Sequence, residues 1–287
     1  MSISQIYCNK DNKISRLDKF LCFKFDISFA VAVKIIRLNR VLVNEKKVNF
    51  DYKLHNGDKI EIFTNLKLRN IAKNNKIISK ELLAKFNSWI IYEDDNMLAI
   101  DKPSGIACQG GSGIKISIDD FLKNKSWQLV HRLDKDTSGV LLIAKHHEYA
   151  KLLINCFKNR RVQKTYMAYV NGVLKSDKGQ ISIPLSKKRL AKNEKVISDY
   201  EYGKPAITRY RVIERYKNYT KIKLFPITDR THQLRVHMKE IGHPIINDVK
   251  YGGKIVVNKN LGDRLCLHAC EVKVLNIFIT SSLDKYT

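Results

Sequence analysis

The sequence predicts an α+β protein: a small N-terminal α+β unit followed by a larger domain built on a mixed, largely antiparallel sheet. Three observations carry this. The chain has 287 residues, enough for one large domain and a small one. Strand-like segments at 140–144, 165–170, 207–213 and 221–225 are interleaved with few helices, unlike a regular β/α alternation. Hydrophobic residues make up 44% and charged residues 28%, a globular balance that excludes a disordered chain. The expected division is 1–65 for the small unit, 66–88 for a basic linker, and 89–287 for the large domain.

Within the small unit, Ile14, Leu17, Leu21 and Phe25 recur at helical spacing. Asp26 or Ser28 suits the cap of a second helix ending near Leu38. Residues 41–44 read as a short strand, Asn56-Gly57-Asp58 as a turn, and 59–63 as an alternating strand. Residues 65–88 are rich in Lys and Asn, with a little helix expected around Ile78 to Phe86. From Trp89 a hairpin is expected, turning at 93–96 and feeding Asp101-Lys-Pro-Ser-Gly. Gly110-Gly-Ser-Gly113 is a flexible loop that fits neither a P-loop nor a dinucleotide fingerprint, so no nucleotide cofactor is expected. A helix should run from about His147 to Arg160. Another should be capped by Thr228 or Asp229 and stop at Gly242 and Pro244.

The formal net charge is +25, from 53 Lys+Arg against 28 Asp+Glu. Such an excess suits a polyanionic partner, because each cation placed near a phosphate releases a counterion. A lysine-rich composition set by A- and T-rich codons would give the same balance. No apolar run approaches the roughly 18 residues of a membrane span, and with no long apolar stretch in residues 1–10 no secretory leader is expected. A cytoplasmic monomer with no membrane partner is expected. The six cysteines include no CxxC, and Cys266-Leu-His268-Ala-Cys270 lies in a strand-like apolar segment. It reads as small buried residues beside one polar His, so no metal site is expected.

The most informative stretch is His131-Arg-Leu-Asp-Lys-Asp-Thr-Ser-Gly139. It is a polar, glycine-terminated loop between apolar runs, and it sets Asp134 and Asp136 beside His131, Arg132 and Lys135. Loops carried on a rigid sheet are where catalytic groups tend to sit. A tight turn held by local Asp and Thr hydrogen bonds would use the same residues. His131 reads as structural.

Two resemblances sharpen these readings. Ser15-Arg-Leu-Asp-Lys-Phe-Leu, Ile36-Arg-Leu-Asn-Arg, Val41-Leu-Val-Asn-Glu-Lys-Lys-Val and Leu54-His-Asn-Gly-Asp-Lys-Ile resemble an S4 RNA-binding domain. That resemblance implies an RNA-gripping face at Arg16, Lys19, Arg37 and Arg40. The loop 131–139 resembles the active-site motif of the RluA family of pseudouridine synthases, His-Arg-Leu-Asp-x-x-Thr-Ser-Gly, with every fixed position filled. Asp101-Lys-Pro-Ser-Gly-Ile, Gln163-Lys-Thr-Tyr-Met-Ala-Tyr169, Gly203-Lys-Pro-Ala-Ile-Thr and Arg230-Thr-His-Gln-Leu-Arg-Val-His237 resemble further motifs of that family, in its order. With the S4-like unit, the order is similar to the RluC and RluD types that act on ribosomal RNA.

The resemblance implies that the catalytic carboxylate is Asp134, the active-site tyrosine Tyr166, and the arginine pairing with the carboxylate Arg235. Arg132, Leu234 and Arg230 would bind substrate, with Arg132 filling the space left by a flipped base. Asp136 falls on a variable position. The implied activity is isomerisation of uridine to pseudouridine, which gains and loses no atoms and needs no cofactor. The implied partner is structured RNA, foremost 23S ribosomal RNA. The alternatives are tRNA, or a non-catalytic RNA-binding role in ribosome assembly. An ionised carboxylate could attack C1′ or C6, or act as a base at C2′. Two departures stand out. Asp229 occupies a position where the family has Gly, and the last hairpin, around 275–280, is expected to be trimmed.

Overall fold

The computed structural model describes residues 4–8, 16–25, 27, 29–63, 78–111, 113–123, 125–190, 193–253 and 257–282. Ile14, Ser15, Asp26 and Ser28, and with them the cap expected for the second helix, lie outside the described residues. The chain divides into two compact units, Met1–Ile77 and Ile78–Thr287.

The first unit holds β1 (Ser4–Tyr7), α1 (Leu17–Phe25), α2 (Phe29–Arg37), β2 (Val41–Val43) and β3 (Lys59–Ile62). Its antiparallel sheet has the order β1-β3-β2. Leu17, Phe20 and Leu21 from α1 and Ala32 and Ile36 from α2 bury against Val41, Ile60 and Ile62. The helical spacing of the apolar residues is therefore the packing face. Sequence reading missed β1, whose short Ser-Gln-Ile-Tyr run shows little alternation. The turn before β3 is held by Asp58, which accepts from the His55 amide and the Asn44 side chain, each at 2.8 Å.

The second unit opens with α3 (Lys80–Asn87), capped by the Ser79 hydroxyl, which accepts from the Leu82 amide at 3.2 Å. This helix lies in the stretch read as a solvated connector, yet Phe86 is 1% exposed and stacks on Phe121 at 4.8 Å. Next come β4 (Ile90–Glu93), β5 (Met97–Lys102), α4 (Ile118–Leu122), β6 (Gln128–Leu129), β7 (Ser138–Ala144) and α5 (His147–Lys158). The second half holds β8 (Gln163–Asn171), β9 (Lys178–Ser182), β10 (Leu185–Leu190), β11 (Asn193–Ser198), β12 (Ile207–Arg215), β13 (Tyr219–Pro226), α6 (Gln233–Glu240), β14 (Leu267–Val274) and β15 (Ile277–Thr280).

The main sheet runs β4-β5-β7-β14-β8-β13-β12-β9, with β15 on β14 and β6 on β7. Its pairs are antiparallel except β7 with β14. The fold is thus the mixed, largely antiparallel α+β sheet expected. β5 and β7 are buried along their whole length. Their alternate residues feed opposite faces. Leu98, Ile100, Leu141 and Ile143 enter one core, while Met97, Ala99, Val140 and Leu142 pack with Ala150 and Leu153 of α5 in the other.

The junction of β7 and β14 is unusually close. Gly139 has φ +110°, and a Cβ there would stand 2.3 Å from the Ala269 carbonyl oxygen. Ala269 pairs on its other side with Tyr166 of β8. Gly139→Ala should therefore lower stability by roughly 3 kcal/mol or more, through both clash and backbone strain. Gly105, at φ +86° with nothing near its absent Cβ, should lose only about 1 kcal/mol as Ala. Chemical denaturation of the two variants measures the contrast, and equal losses would contradict the packing explanation.

Candidate active site

Asp134 sits in the loop that enters β7, and backbone contacts fix that loop from two sides. The Lys135 carbonyl accepts from the Gly105 amide at 2.9 Å, and the Asp136 carbonyl accepts from the Ser104 hydroxyl at 2.6 Å. Lys102 lies beneath, fully buried, and its ammonium donates to the carbonyls of Pro103, Ile106 and Lys135 at 3.0, 2.8 and 3.2 Å. Burial pulls this amine down to about 8. His131 anchors the start of the loop. Its Nε2 accepts from the Leu142 amide at 2.8 Å, and its ring stacks on Phe157 at 4.5 Å. Burial pulls His131 down to about 3, so it is neutral and structural.

The loop faces a cavity of about 430 Å³. Asp134, Tyr166, Arg235, Arg132, Leu234 and Arg230, the residues that the sequence marks out, all line it. Tyr166 comes from β8, across Ala269 from Gly139. Burial raises its hydroxyl well beyond the ordinary tyrosine value, so it stays protonated. Leu234 and Arg235 come from the first turn of α6. Arg132 lies at the mouth. Arg230 is held by a 3.2 Å bond from its Nε to the Pro205 carbonyl.

Arg235 reaches two carboxylates. The guanidinium does not make a bidentate contact to Asp134; it forks onto Asp248 instead, Nε to Oδ2 at 2.8 Å and Nη2 to Oδ1 at 2.7 Å. Its Nη1 stands 3.8 Å from Asp134 Oδ2, an ion pair but not a hydrogen bond. Asp248 has no exposed side-chain surface, whereas 26% of the Asp134 side chain is exposed. Burial raises the Asp134 carboxyl above its ordinary value, and Asp136 adds to this; Arg235, Arg132 and Lys102 pull the other way.

The start of α6 also differs. Neither Thr228 nor Asp229 caps it; the helix begins at Gln233, behind His232 in the left-handed region at φ +52°. Thr228 donates instead to the Gln233 side chain at 2.7 Å and accepts from the Ile207 amide at 2.8 Å. Asp229 pairs with Lys164 at 2.9 Å. With Arg230 it forms a wall shared with a second cleft, of about 560 Å³, lined also by Lys158, Arg160, Lys164 and Phe225.

Sequence reasoning missed Lys102 as an anchor, gave His232 no role of its own, and missed Asp248 and Tyr251 altogether. The order of the motif around Arg230 pointed at His232, but nothing local marks Asp248 as the partner of an arginine on another element. Among the described residues, no three His, Cys, Asp or Glu side chains converge as metal ligands. His268 bonds Ser138 Oγ at 2.9 Å and Ser281 Oγ at 3.1 Å, while Cys266 and Cys270 are buried thiols.

In the first unit, Lys19, Arg37 and Arg40 are exposed, with Arg37 resting over the Phe50 ring at 5.5 Å. Arg16 is engaged instead by the buried Asp18, Nε to Oδ1 at 3.2 Å.

Comparison with known proteins gives a consistent picture. Residues 96–240 match the model of a family described as RNA pseudouridylate synthase. The chain is 38% identical to the ribosomal large subunit pseudouridine synthase C of Haemophilus ducreyi, over 96% of this chain and 91% of that protein. It is 35% identical to the protein of the same name from Buchnera aphidicola, covering 99% of this chain and 95% of the relative. Among solved structures, human RNA pseudouridylate synthase domain containing 1 superposes with a TM-score of 0.59 at 26% identity, covering 67% of this chain and 82% of that one.

The two carboxylates flanking Arg235 should respond oppositely to substitution. The folded state binds the Asp134 proton more tightly than the unfolded chain, so ionisation costs stability as pH rises through that range. Asp134→Asn should therefore raise the melting temperature at neutral pH. Asp248→Ala leaves a buried guanidinium unpaired and should cost roughly 3–5 kcal/mol. Thermal and denaturant unfolding at neutral pH test both signs.

Proposed function

The chain belongs to the RNA pseudouridylate synthase family, within its RluA group, and from that premise we propose that it converts specific uridines of large-subunit (23S) ribosomal RNA to pseudouridine, using Asp134. The observation that carries this reading is the cavity in which Asp134 meets Tyr166, Leu234 and Arg235. Its volume is of the order that holds a small ligand with most of its surface buried.

The reaction breaks the N1–C1′ bond, turns the uracil and joins C5 to C1′. The proton lost from C5 is matched by one gained at nitrogen. A uridine in structured RNA must leave its stack to be reached. In this reading Arg132, which lines the cavity, fills the space it vacates. Tyr166 and Leu234 offer a ring and an apolar wall between which the uracil turns. Arg235, Arg132 and Lys102 favour the ionised form of Asp134, which either attack on the nucleoside or proton abstraction from it requires. The protonated Tyr166 hydroxyl serves as a donor toward the base.

The ribosomal substrate is supported by relatives of that name aligned over nearly their whole length, and by the net charge of +25. An rRNA substrate implies work in the cytoplasm. Among the described residues no helix is long and apolar enough to cross a membrane. We propose that the protein acts as a monomer. Lys19, Arg37 and Arg40 of the S4-like unit, with the cations of the second cleft, offer further phosphate contacts.

Asp134→Ala should abolish pseudouridine formation while leaving RNA affinity within a few-fold. Carbodiimide modification with primer extension across total RNA, with and without the protein, reads out the product. Stops in 23S rRNA support the assignment, stops in tRNA alone move the substrate, and full activity of the variant overturns it. The triple variant Lys19→Glu, Arg37→Glu, Arg40→Glu should weaken RNA binding. It should also flatten the dependence of log affinity on log salt by roughly one unit for each phosphate that these side chains neutralise. An unchanged salt slope would remove this face from the RNA path.

A further inference from the structure

His232 has a geometry that the proposed reaction does not use. Its Nδ1 lies 2.6 Å from the Tyr251 hydroxyl, and its Nε2 lies 3.8 Å from Asp134 Oδ2. The Tyr251 oxygen accepts from the Val196 amide at 3.2 Å. Among the described residues, His232 Nδ1 is the acceptor available for the tyrosyl proton. With Tyr251 donating to Nδ1, the imidazole proton sits on Nε2 and faces the carboxylate. The opposite tautomer would turn a lone pair toward a carboxylate oxygen and strand the tyrosyl proton. Burial pulls His232 down to about 4, with Arg235 and Lys250 adding to the effect, so the ring is neutral.

The backbone that carries the ring is itself constrained, at φ +52°. A non-glycine residue in the left-handed region is strained and persists where its surroundings over-determine it. Here the Gln233 side chain does so. Its Nε2 donates to the Ile207 carbonyl at 2.9 Å and to Thr208 Oγ1 at 3.0 Å, and its Oε1 accepts from the Arg230 amide at 3.1 Å. The turn at 230–233 is thus fixed independently of the imidazole, which projects into the cavity beside Asp134.

We propose that His232 is a positioning residue that donates a neutral N–H to one oxygen of Asp134, and that Tyr251 sets the tautomer that makes this possible. The inference rests on Asp134 being the reactive carboxylate. His232 Nε2 and Arg235 Nη1 both approach Oδ2, each at 3.8 Å. Donors gathered on one oxygen leave Oδ1 as the oxygen presented to the nucleoside. The gap exceeds a hydrogen bond in the free protein, and such contacts commonly tighten when substrate fills a site. A neutral donor suits this place. It orients the carboxylate without the full charge that would pin it as tightly as Asp248 is pinned.

The test uses single-turnover rates and RNA affinities of His232→Ala, His232→Gln and Tyr251→Phe in the full chain, each checked for folding by its melting curve. His232→Ala should slow the chemical step by roughly 10- to 100-fold, with RNA affinity within about twofold. His232→Gln, whose amide nitrogen can stand where Nε2 stood, should recover most of that loss. Tyr251→Phe keeps the ring, which lies 5.2 Å from the Arg235 guanidinium, but loses the tautomer-setting hydroxyl; it should slow the step about tenfold. A wild-type rate in His232→Ala or Tyr251→Phe overturns the inference, as does a His232→Gln no better than His232→Ala, or a loss that follows affinity. An inactive Asp134→Asn beside a fully active His232→Ala would overturn this inference alone; an active Asp134→Asn would overturn the reading beneath it.

Discussion

The backbone contact between Gly139 and Ala269 is the constraint on which the rest of the site depends. It lets β7 and β14 run side by side in parallel, the exception in an otherwise antiparallel sheet. Asp134 lies just ahead of β7, and Tyr166 lies on β8 directly across Ala269. The distance from carboxylate loop to aromatic ring is therefore set by the width of one strand. Any side chain at 139 would push that strand aside. The glycine closing the loop motif is thus a demand of packing as much as of turn geometry.

Charge is distributed around the site with a clear asymmetry. Arg235 stands between two carboxylates and gives its fork to the buried Asp248, leaving Asp134 a looser, purely electrostatic contact. Burial works against the guanidinium's charge, and Asp248 outweighs it. The result is a fixed cation beside a carboxylate that it holds less tightly. Lys102 plays a parallel part below the loop, where a fully buried ammonium holds three carbonyls in place of water. The polar groups that fix the scaffold are saturated, while the one proposed to react is held by little.

Much of this was legible in the sequence, for identifiable reasons. Runs such as 140–144 and 165–170, rich in apolar residues, became central strands because burial on both faces demands that pattern. The loop 131–139 was recognisable from its unusual composition, and its resemblance drew Tyr166 and Arg235 to it. The hairpin of β10 and β11 was not legible. Its residues are mostly polar or charged, and packing of Leu185 and Val196 against Tyr251 holds it. The partner of Arg235 was hidden because Asp248 lies in an irregular turn with no periodicity. The late start of α6 was hidden because a glutamine side chain, not the expected Thr or Asp cap, stitches the preceding turn. Local propensity located the elements; side chains meeting over long sequence distances located the chemistry.

The placement of β14 carries a consequence for how the molecule is made. In the sheet it lies between β7 and β8, yet His268 follows its partner Ser138 by 130 residues. A chain emerging in order from the N-terminus can form α5 and the β12–β13 hairpin early, from contacts close in sequence. The middle of the sheet stays open until residues 267–274 arrive and insert. A nascent chain can therefore present its basic surfaces to RNA well before it can draw Asp134 and Tyr166 together. Maturation ends by zipping a strand into the centre of the molecule, not by adding one at its rim.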